Sequence, residues 1–313
     1  MGSSQEAAAA PDVSLIIVNW NTRDRVRHCL HTVRDEAQRF GVHRLETIVV
    51  DNASADGSAA LIAAEFPWVN LIQNSENVGF ARANNQGIAY SQGRYVLLLN
   101  SDTEMHPGCL AALVAFMQTH PRAAAAGARL LNQDGSLQPS CQPMLTPGRE
   151  FWRLVFLDHL WPRATYRMRR WDMQRPRPVA VIKGACLLLR REALRQVGLL
   201  DERYFMYTEE VDICYRLAQA GWTLWYVPAA VVTHDGEASS RQAAQAMYIQ
   251  LYRSKVQFYR KTGGERQARY FKRLLKLAYA PRRTLVAAAA WFWPTWRARA
   301  ETYRRLLAEL PQM

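Results

Sequence analysis

Residues 95–102 read YVLLLNSD, and this stretch decides the fold. Five apolar or aromatic residues follow one another without alternation, then Asn100-Ser101-Asp102 ends the run. A short unbroken apolar run marks a strand buried on both faces, as in a parallel sheet. Earlier runs read the same way: Val13 to Val18 (VSLIIV), Thr47 to Val50 (TIVV) and Val69 to Gln73. Between them the period changes to helical. Thr22 can cap a helix reaching about Phe40, with Val26, Cys29, Leu30 and Val33 on one stripe. Turn residues 54–58 open a second helix to about Glu65. Ala81 to Ser91, ended by Gly93, is a third, and Cys109 to Thr119 a fourth. Alternating β and α predicts an α/β fold of Rossmann-like type, its sheet mostly parallel with helices on both faces. Ligands of such sheets lie beyond the carboxyl ends of the strands. Polar residues recur there: Asn19, Asp51-Asn52 and Asn100-Ser101-Asp102.

The second half is less regular. Strands are expected at Ala123 to Leu130, at Val181 to Leu189 (interrupted by Lys183-Gly184), at Thr223 to Val227 and at Ala230 to Thr233. Helices are expected at Glu192 to Val197 and Glu209 to Ala220. Residues 132–180 read as a long loop region with one short helix near Glu150 to Leu160.

The formal charge of +13 sits in one place: 16 Lys+Arg against 3 Asp+Glu from Arg241 onward, and 24 of each before it. A neutral domain with a basic tail points to an anionic surface rather than to nucleic acid, for which no binding motif accompanies the charge. The five cysteines form no CxxC pair, which fits a reducing cytoplasm and argues against a disulfide or zinc framework. Residues 1–12 read as a disordered lead-in without a signal peptide, 13–240 as the α/β domain and 241–313 as a helical extension. No run of about 20 apolar residues predicts a transmembrane helix.

Five constellations carry chemistry. Asp102, just past a buried strand, suits a magnesium or manganese ion held by a carboxylate and substrate phosphates, though read alone the segment suits a helix-capping turn better. Asp51-Asn52 suits a ribose or base, or an Asx turn. The Gly79 loop, NVGFARANN over 77–85, opens a helix and offers N–H groups to phosphate or ribose; it is neither GxGxxG nor a P-loop. Glu209, Glu210 and Asp212 crowd a helix start, where the dipole alone favours them, yet their proximity also raises pKa as a general base needs. His234 ends a strand as a metal ligand or a structural imidazole.

Taken in order, SLIIVNWN (14–21), VVDNASADGS (49–58), NVGFARANNQG (77–87), LLLNSD (97–102), KGACLLLRREAL (183–194), LLDERYFMYTEEVDICYRLAQAGW (199–222) and VTHDG (232–236) resemble the family 2 glycosyltransferases of GT-A fold. Among these the chain looks most like the rhamnosyltransferase-type members of bacterial polysaccharide assembly. The resemblance implies a nucleoside-diphosphate sugar donor, possession of a divalent metal (Mg2+ or Mn2+), and a glycan or polyprenyl-linked acceptor. It implies that Asn19, Asp51 and Asn52 meet the nucleoside, and that Gly79, Asn84, Asn100, Ser101 and Gly184 line the donor pocket. Asp102 is the last carboxylate of the family's Asp-x-Asp motif, whose first place here is Asn100. That departure gives His234 more weight as a second metal ligand. The base motif falls on Glu209-Glu210, with Glu210 as the base. The implied reaction is a single in-line displacement with inversion.

The tail adds Leu285 to Trp296, LVAAAAWFWPTW, flanked by arginines. It reads as helices lying on an anionic membrane, which would place the enzyme at the inner face of the cytoplasmic membrane. The other reading is a bundle packing on the domain or on a second copy. Two rival functions remain at this level. A nucleotide-sugar pyrophosphorylase would need a basic Gly-rich loop where Asn19-Trp20-Asn21-Thr22 stands, and a non-catalytic carbohydrate-binding scaffold would not need Asp102, Glu210 and His234 together.

Overall fold

The computed structural model describes residues 10–157, 165–236 and 243–313. The expected lead-in over 1–9 and the last residues of the helix expected to reach Leu160 lie outside them. The first half runs β1 (Val13–Asn19), α1 (Arg23–Phe40), β2 (Leu45–Asp51), α2 (Ser58–Glu65), β3 (Asn70–Gln73), α3 (Phe80–Tyr90), β4 (Tyr95–Asn100), β5 (Thr103–Met105) and α4 (Cys109–Thr119). Then come β6 (Ala123–Leu131), β7 (Leu137–Gln138), β8 (Cys141–Gln142), α5 (Pro147–Leu154), β9 (Arg177–Pro178), β10 (Val181–Ile182) and β11 (Cys186–Arg190). The chain closes with α6 (Arg191–Val197), α7 (Glu209–Gln219), β12 (Thr223–His234), α8 (Ala244–Phe292) and α9 (Arg297–Glu309).

The main sheet has the order β3-β2-β1-β4-β11-β6-β12-β5. The first four strands are mutually parallel, as are β6 and β12, whereas β11 runs antiparallel between β4 and β6. Side chains alternate across it even in the wholly apolar strands. Leu15, Ile17, Val49, Leu97 and Leu99 pack under α1 and α4, while Ile16, Ile48, Val50, Val96 and Leu98 pack under the opposite layer. Register then sets the functional edge: Asn19 lies beside Asp51, and Val18 beside Asn100.

Several expected elements differ from the structure. The run Val181 to Leu189 splits into two strands in different sheets, because Lys183-Gly184 redirects the chain and β10 pairs β8. The two strands expected within 223–233 are one, β12, with a bulge between Val227 and Val231 that absorbs Pro228. Residues 103–105, unassigned before, form an edge strand on β12. Gly93 does not end α3, which stops at Tyr90. A Cβ at Gly93 would lie 2.5 Å from the Ser14 nitrogen, so the glycine serves the close approach of the two backbones. In residues 132–180 the helix begins earlier than expected, at Pro147, where the Thr146 side chain caps it and proline fits the first turn.

The C-terminal helices pack on the domain. Tyr252, Val256, Tyr259, Phe271, Leu275 and Tyr279 of α8 are buried and continuous with the core under α3 and α7. Gly264 breaks α8 with φ +70°. Lys261 joins Asp201 and Asp212, both at 2.7 Å, and Asp212 is fully buried and also bound by Arg216. At the far end Trp291, Phe292, Trp293 and Trp296 remain exposed. No helix among the described residues is long and apolar enough to cross a membrane.

Candidate active site

At the β1 and β2 ends, the fully buried Asn19 donates from Nδ2 to Asp51 Oδ2 (2.9 Å) and to Ser54 Oγ (3.1 Å). Asp51 Oδ1 accepts the Ser54 N–H at 2.9 Å. Thr22 occupies the start of α1 without capping it. Its hydroxyl instead donates to Asn19 Oδ1 (2.7 Å) and sits 2.9 Å from Ser101 Oγ, so it links the β1 and β4 ends. Asn52 holds the Gly79 loop: Nδ2 donates to Asn77 Oδ1 at 2.8 Å, and Oδ1 accepts the Val78 N–H at 3.2 Å. Asn84 is buried in α3 and donates to Phe80 O at 2.9 Å, so here it braces the first turn of that helix beneath the loop. Asn21 and Ala53 carry positive φ, 50° and 62°, a conformation that non-glycine residues adopt at a cost and that clusters at functional sites.

Asp102 and His234 meet at the β4 and β12 ends, with Asp102 Oδ1 3.3 Å from His234 Nε2. The tautomer follows from the neighbours. Gln138 Nε2 donates to Asn132 Oδ1 (2.9 Å) and His234 O (3.1 Å), which leaves Gln138 Oε1 to accept His234 Nδ1–H at 2.7 Å. Nε2 therefore presents a lone pair, toward which Asn100 Nδ2 is directed at 3.2 Å. A lone pair beside a carboxylate oxygen suits a cation bound by both: two ligands about 2.1 Å from one ion and at right angles are about 3 Å apart. Asp102 and His234 thus fit a divalent metal completed by donor phosphates. Among the described residues no group of three His, Cys, Asp or Glu could hold one by itself. The backbone closes this corner, with Asp235 N–H donating to Asp102 O at 3.1 Å.

The third cluster sits at the start of α7. Tyr207 and Thr208 both have positive φ, 68° and 74°, strain of roughly 1–3 kcal/mol each that surrounding contacts must hold. Phe80 N–H donates to Phe205 O (2.7 Å), Ser254 of α8 to Met206 O (2.8 Å), and Asp212 N–H to Thr208 O (2.9 Å). Gly79 has φ +87°, and a Cβ there would stand 2.6 Å from Phe205 O. It joins the 77–79 loop to the 205–208 loop by backbone contact rather than lining an open pocket wall. A Cβ added at Gly184 would stand 3.8 Å from Glu210 Cβ, in ordinary contact, which places Gly184 beside Glu210.

Glu209 is buried and Glu210 half-buried, and Oε2 of each has no hydrogen-bond partner among the described residues. Burial, then the charge of Glu210, pushes the Glu209 carboxyl well up. Burial also raises Glu210, against the pull of backbone N–H groups and of Lys183. Both are easier to ionise in the unfolded chain, so their ionisation on raising pH lowers stability. Glu209→Gln is expected to melt like the wild type below about pH 4.5 and increasingly above it as pH rises. A melting difference independent of pH would reject the buried acid.

The structure thus joins Asn19, Asp51 and Ser101 in one network, Asn100, Asp102 and His234 in a second, and Gly79 and Gly184 with Glu210 in a third. Reading the sequence missed Gln138, Thr22 and Lys183. Lys183 lay next to a flagged glycine, whereas nothing local to Gln138 marks it.

Solved structures share this architecture. The mannosyltransferase of Pyrobaculum calidifontis, solved with GDP-Man and Mn2+, aligns over 96% of this chain and 86% of its own with a TM-score of 0.56 at 18% identity. GalNAc-T7, solved with UDP, GalNAc and Mn2+, aligns over 72% of this chain and 44% of its own with a TM-score of 0.54, also at 18% identity. The fold is that of the GT-A glycosyltransferases. Residues 14–198 match the family model for glycosyl transferase family 2, and the chain belongs to that family. It is 37% identical over 205 residues to the N-acetylglucosaminyl-diphospho-decaprenol L-rhamnosyltransferase of Mycobacterium tuberculosis, covering 61% of this chain and 66% of that protein's length. It is 27% identical to a low-salt glycan biosynthesis hexosyltransferase of Haloferax volcanii, over 66% of this chain and 61% of the relative.

Proposed function

We infer that the chain transfers a sugar, with inversion, from a nucleoside-diphosphate donor to a polyprenyl-diphosphate-linked acceptor, and that the sugar is rhamnose. The observation that carries this reading is the pairing of Asp102 with a histidine nitrogen lone pair at the β4 end, on the sheet edge that also carries Asn19 and Asp51. The named activity of the Mycobacterium tuberculosis relative supports the sugar and the acceptor class.

A divalent metal bound by Asp102 and His234 would offset charge on the departing diphosphate. The residues of the chain do the rest. The Asn19–Asp51–Ser54 network holds the nucleoside end, Asn100 and Ser101 face the donor, and Glu210 takes the proton of the acceptor hydroxyl. Burial raises Glu210, which moves a glutamate toward the pKa a base needs near neutrality, while Lys183 keeps it ionisable. The exposed aromatics at 291–296 and the basic tail support peripheral docking at the inner face of the cytoplasmic membrane. Residues 241–313 act as that docking extension of the catalytic domain.

The test is transfer from a panel of nucleoside-diphosphate sugars, rhamnose donors included, to N-acetylglucosaminyl-diphospho-polyprenol with Mn2+. NMR of the product is expected to show the anomeric configuration inverted. A retained configuration overturns the mechanism, and transfer of another sugar in preference to rhamnose overturns the donor assignment.

A further inference from the structure

Away from the sheet edge, a cavity of about 780 Å³ lies between α5, α8 and α9. Its volume is in the range of small-molecule sites. Tyr248, Tyr252, Tyr279 and Tyr303 line it with edge-on ring contacts. The phenols of Tyr248 and Tyr252 both bond to that of Tyr279, the second at 2.6 Å. Three hydroxyls that share two contacts keep one proton to donate elsewhere, so the cluster suits a hydrogen-bond acceptor.

The lining charge agrees. Glu150 is matched by Lys255 and Arg153 within the wall, and Glu301 by Arg304 and Arg305 outside it. Arg282 and Arg299 also line the cavity, and neither has a carboxylate partner among the described residues. Arg282 rests on the rings of Phe156 (4.6 Å) and Tyr279 (5.3 Å), and Arg299 on that of Trp296 (5.6 Å). Burial raises the Tyr303 hydroxyl, and the charges of Arg299 and Arg282 pull against that rise. Phe156 lines the cavity and is exposed; Trp296, on which Arg299 rests, is exposed too, as are Trp293 and Phe292 just before it in the chain. Lys255 of the cavity wall follows Ser254, which bonds the Met206 carbonyl in the loop that leads to Glu209.

We propose that this cavity binds the phosphoryl-isoprenoid part of a lipid-linked acceptor, with Arg282, Arg299 and the tyrosine hydroxyls on the phosphoryl oxygens and the aromatic rim on the first isoprene units. The proposal rests on the acceptor class inferred above. It commits to an isoprenoid phosphate rather than a bilayer phospholipid, because Arg282 and the buried Tyr252 and Tyr279 lie in the cavity between helices, with only Arg299 at its exposed mouth.

Calorimetric titration of the full chain with farnesyl diphosphate, without donor or metal, tests it. Inorganic pyrophosphate, farnesol and phosphatidylglycerol vesicles serve as parallel probes. Wild type is expected to bind farnesyl diphosphate at least tenfold tighter than either fragment. Arg299→Glu, at an exposed helix position, is expected to weaken that binding at least tenfold with an unchanged melting temperature, and Tyr248→Phe severalfold. Equal binding by wild type and Arg299→Glu overturns the site, as does pyrophosphate binding as tightly as farnesyl diphosphate. Loss of vesicle binding alone in Arg299→Glu assigns the arginine to the membrane and also overturns it. Donor hydrolysis on the same preparations separates the two readings. Hydrolysis without farnesyl diphosphate binding retires the cavity and leaves the transferase, whereas no hydrolysis of any donor by wild type counts against the transferase itself.

Discussion

Glu210→Gln is expected to lower kcat by about 10²–10⁴-fold, the range that loss of a positioned general base produces, while KM for the donor changes little. The amide keeps the shape of the carboxyl, so Gly184 and Lys183 keep their neighbour. What disappears is the acceptor for the proton of the attacking hydroxyl. The wild-type pH profile carries the same signature. The ionised form is active and its pKa is raised by burial, so kcat/KM falls as pH drops, with a midpoint above the ordinary glutamate range. In Glu210→Gln that limb disappears. Glu209→Gln is the internal comparison: it removes the deeper carboxyl and its repulsion, and is expected to cost far less activity. A larger loss in Glu209→Gln than in Glu210→Gln would move the base one residue back.

The second large effect is at Asp102. Asp102→Ala is expected to abolish measurable Mn2+ binding in the presence of nucleoside diphosphate, read by electron paramagnetic resonance. Donor hydrolysis should fall by about 10²–10³-fold, as when a group that stabilises developing charge is removed. One imidazole and the phosphates do not replace a carboxylate for a hard divalent ion. Gln138→Ala gives a graded version of the experiment. It touches no donor atom, yet it releases His234 Nδ1–H and with it the tautomer that aims Nε2 at Asp102. Loss of such an orienting partner typically lowers metal affinity about 10–100-fold. Unchanged Mn2+ binding in Asp102→Ala would remove the metal from this corner.

How far the sequence carries can be argued residue by residue. The strands of the parallel half were legible because each is a short apolar run that ends in polar residues, and both properties are local. Asn19, Asp51 and Asp102 were legible for the same reason. The bulge in β12 was not, since Pro228 breaks a pattern without saying whether the strand resumes in the same sheet. Gln138 was out of reach: its meaning depends on His234, 96 residues away, and it sits in a two-residue strand with no periodicity to read. Gly79 was noticed for the N–H groups of its loop and Gly184 for interrupting a strand, but their neighbours Phe205 and Glu210 belong to a later segment. The tail showed its charge and its aromatics, while the tyrosine cluster within it needed α5, α8 and α9 to be brought together.

The antiparallel strand β11 has a consequence for biosynthesis. It is inserted between β4 and β6, yet it is the last of the three to be made: Leu131 ends β6 and Arg190 ends β11. While the ribosome adds the intervening chain, which takes seconds at about 5–20 residues per second, the edges of β4 and β6 have no partner. The nascent chain therefore exposes two apolar strand edges at once; the β3-β2-β1-β4 half cannot join β6 until β11 arrives, and His234 follows only with β12.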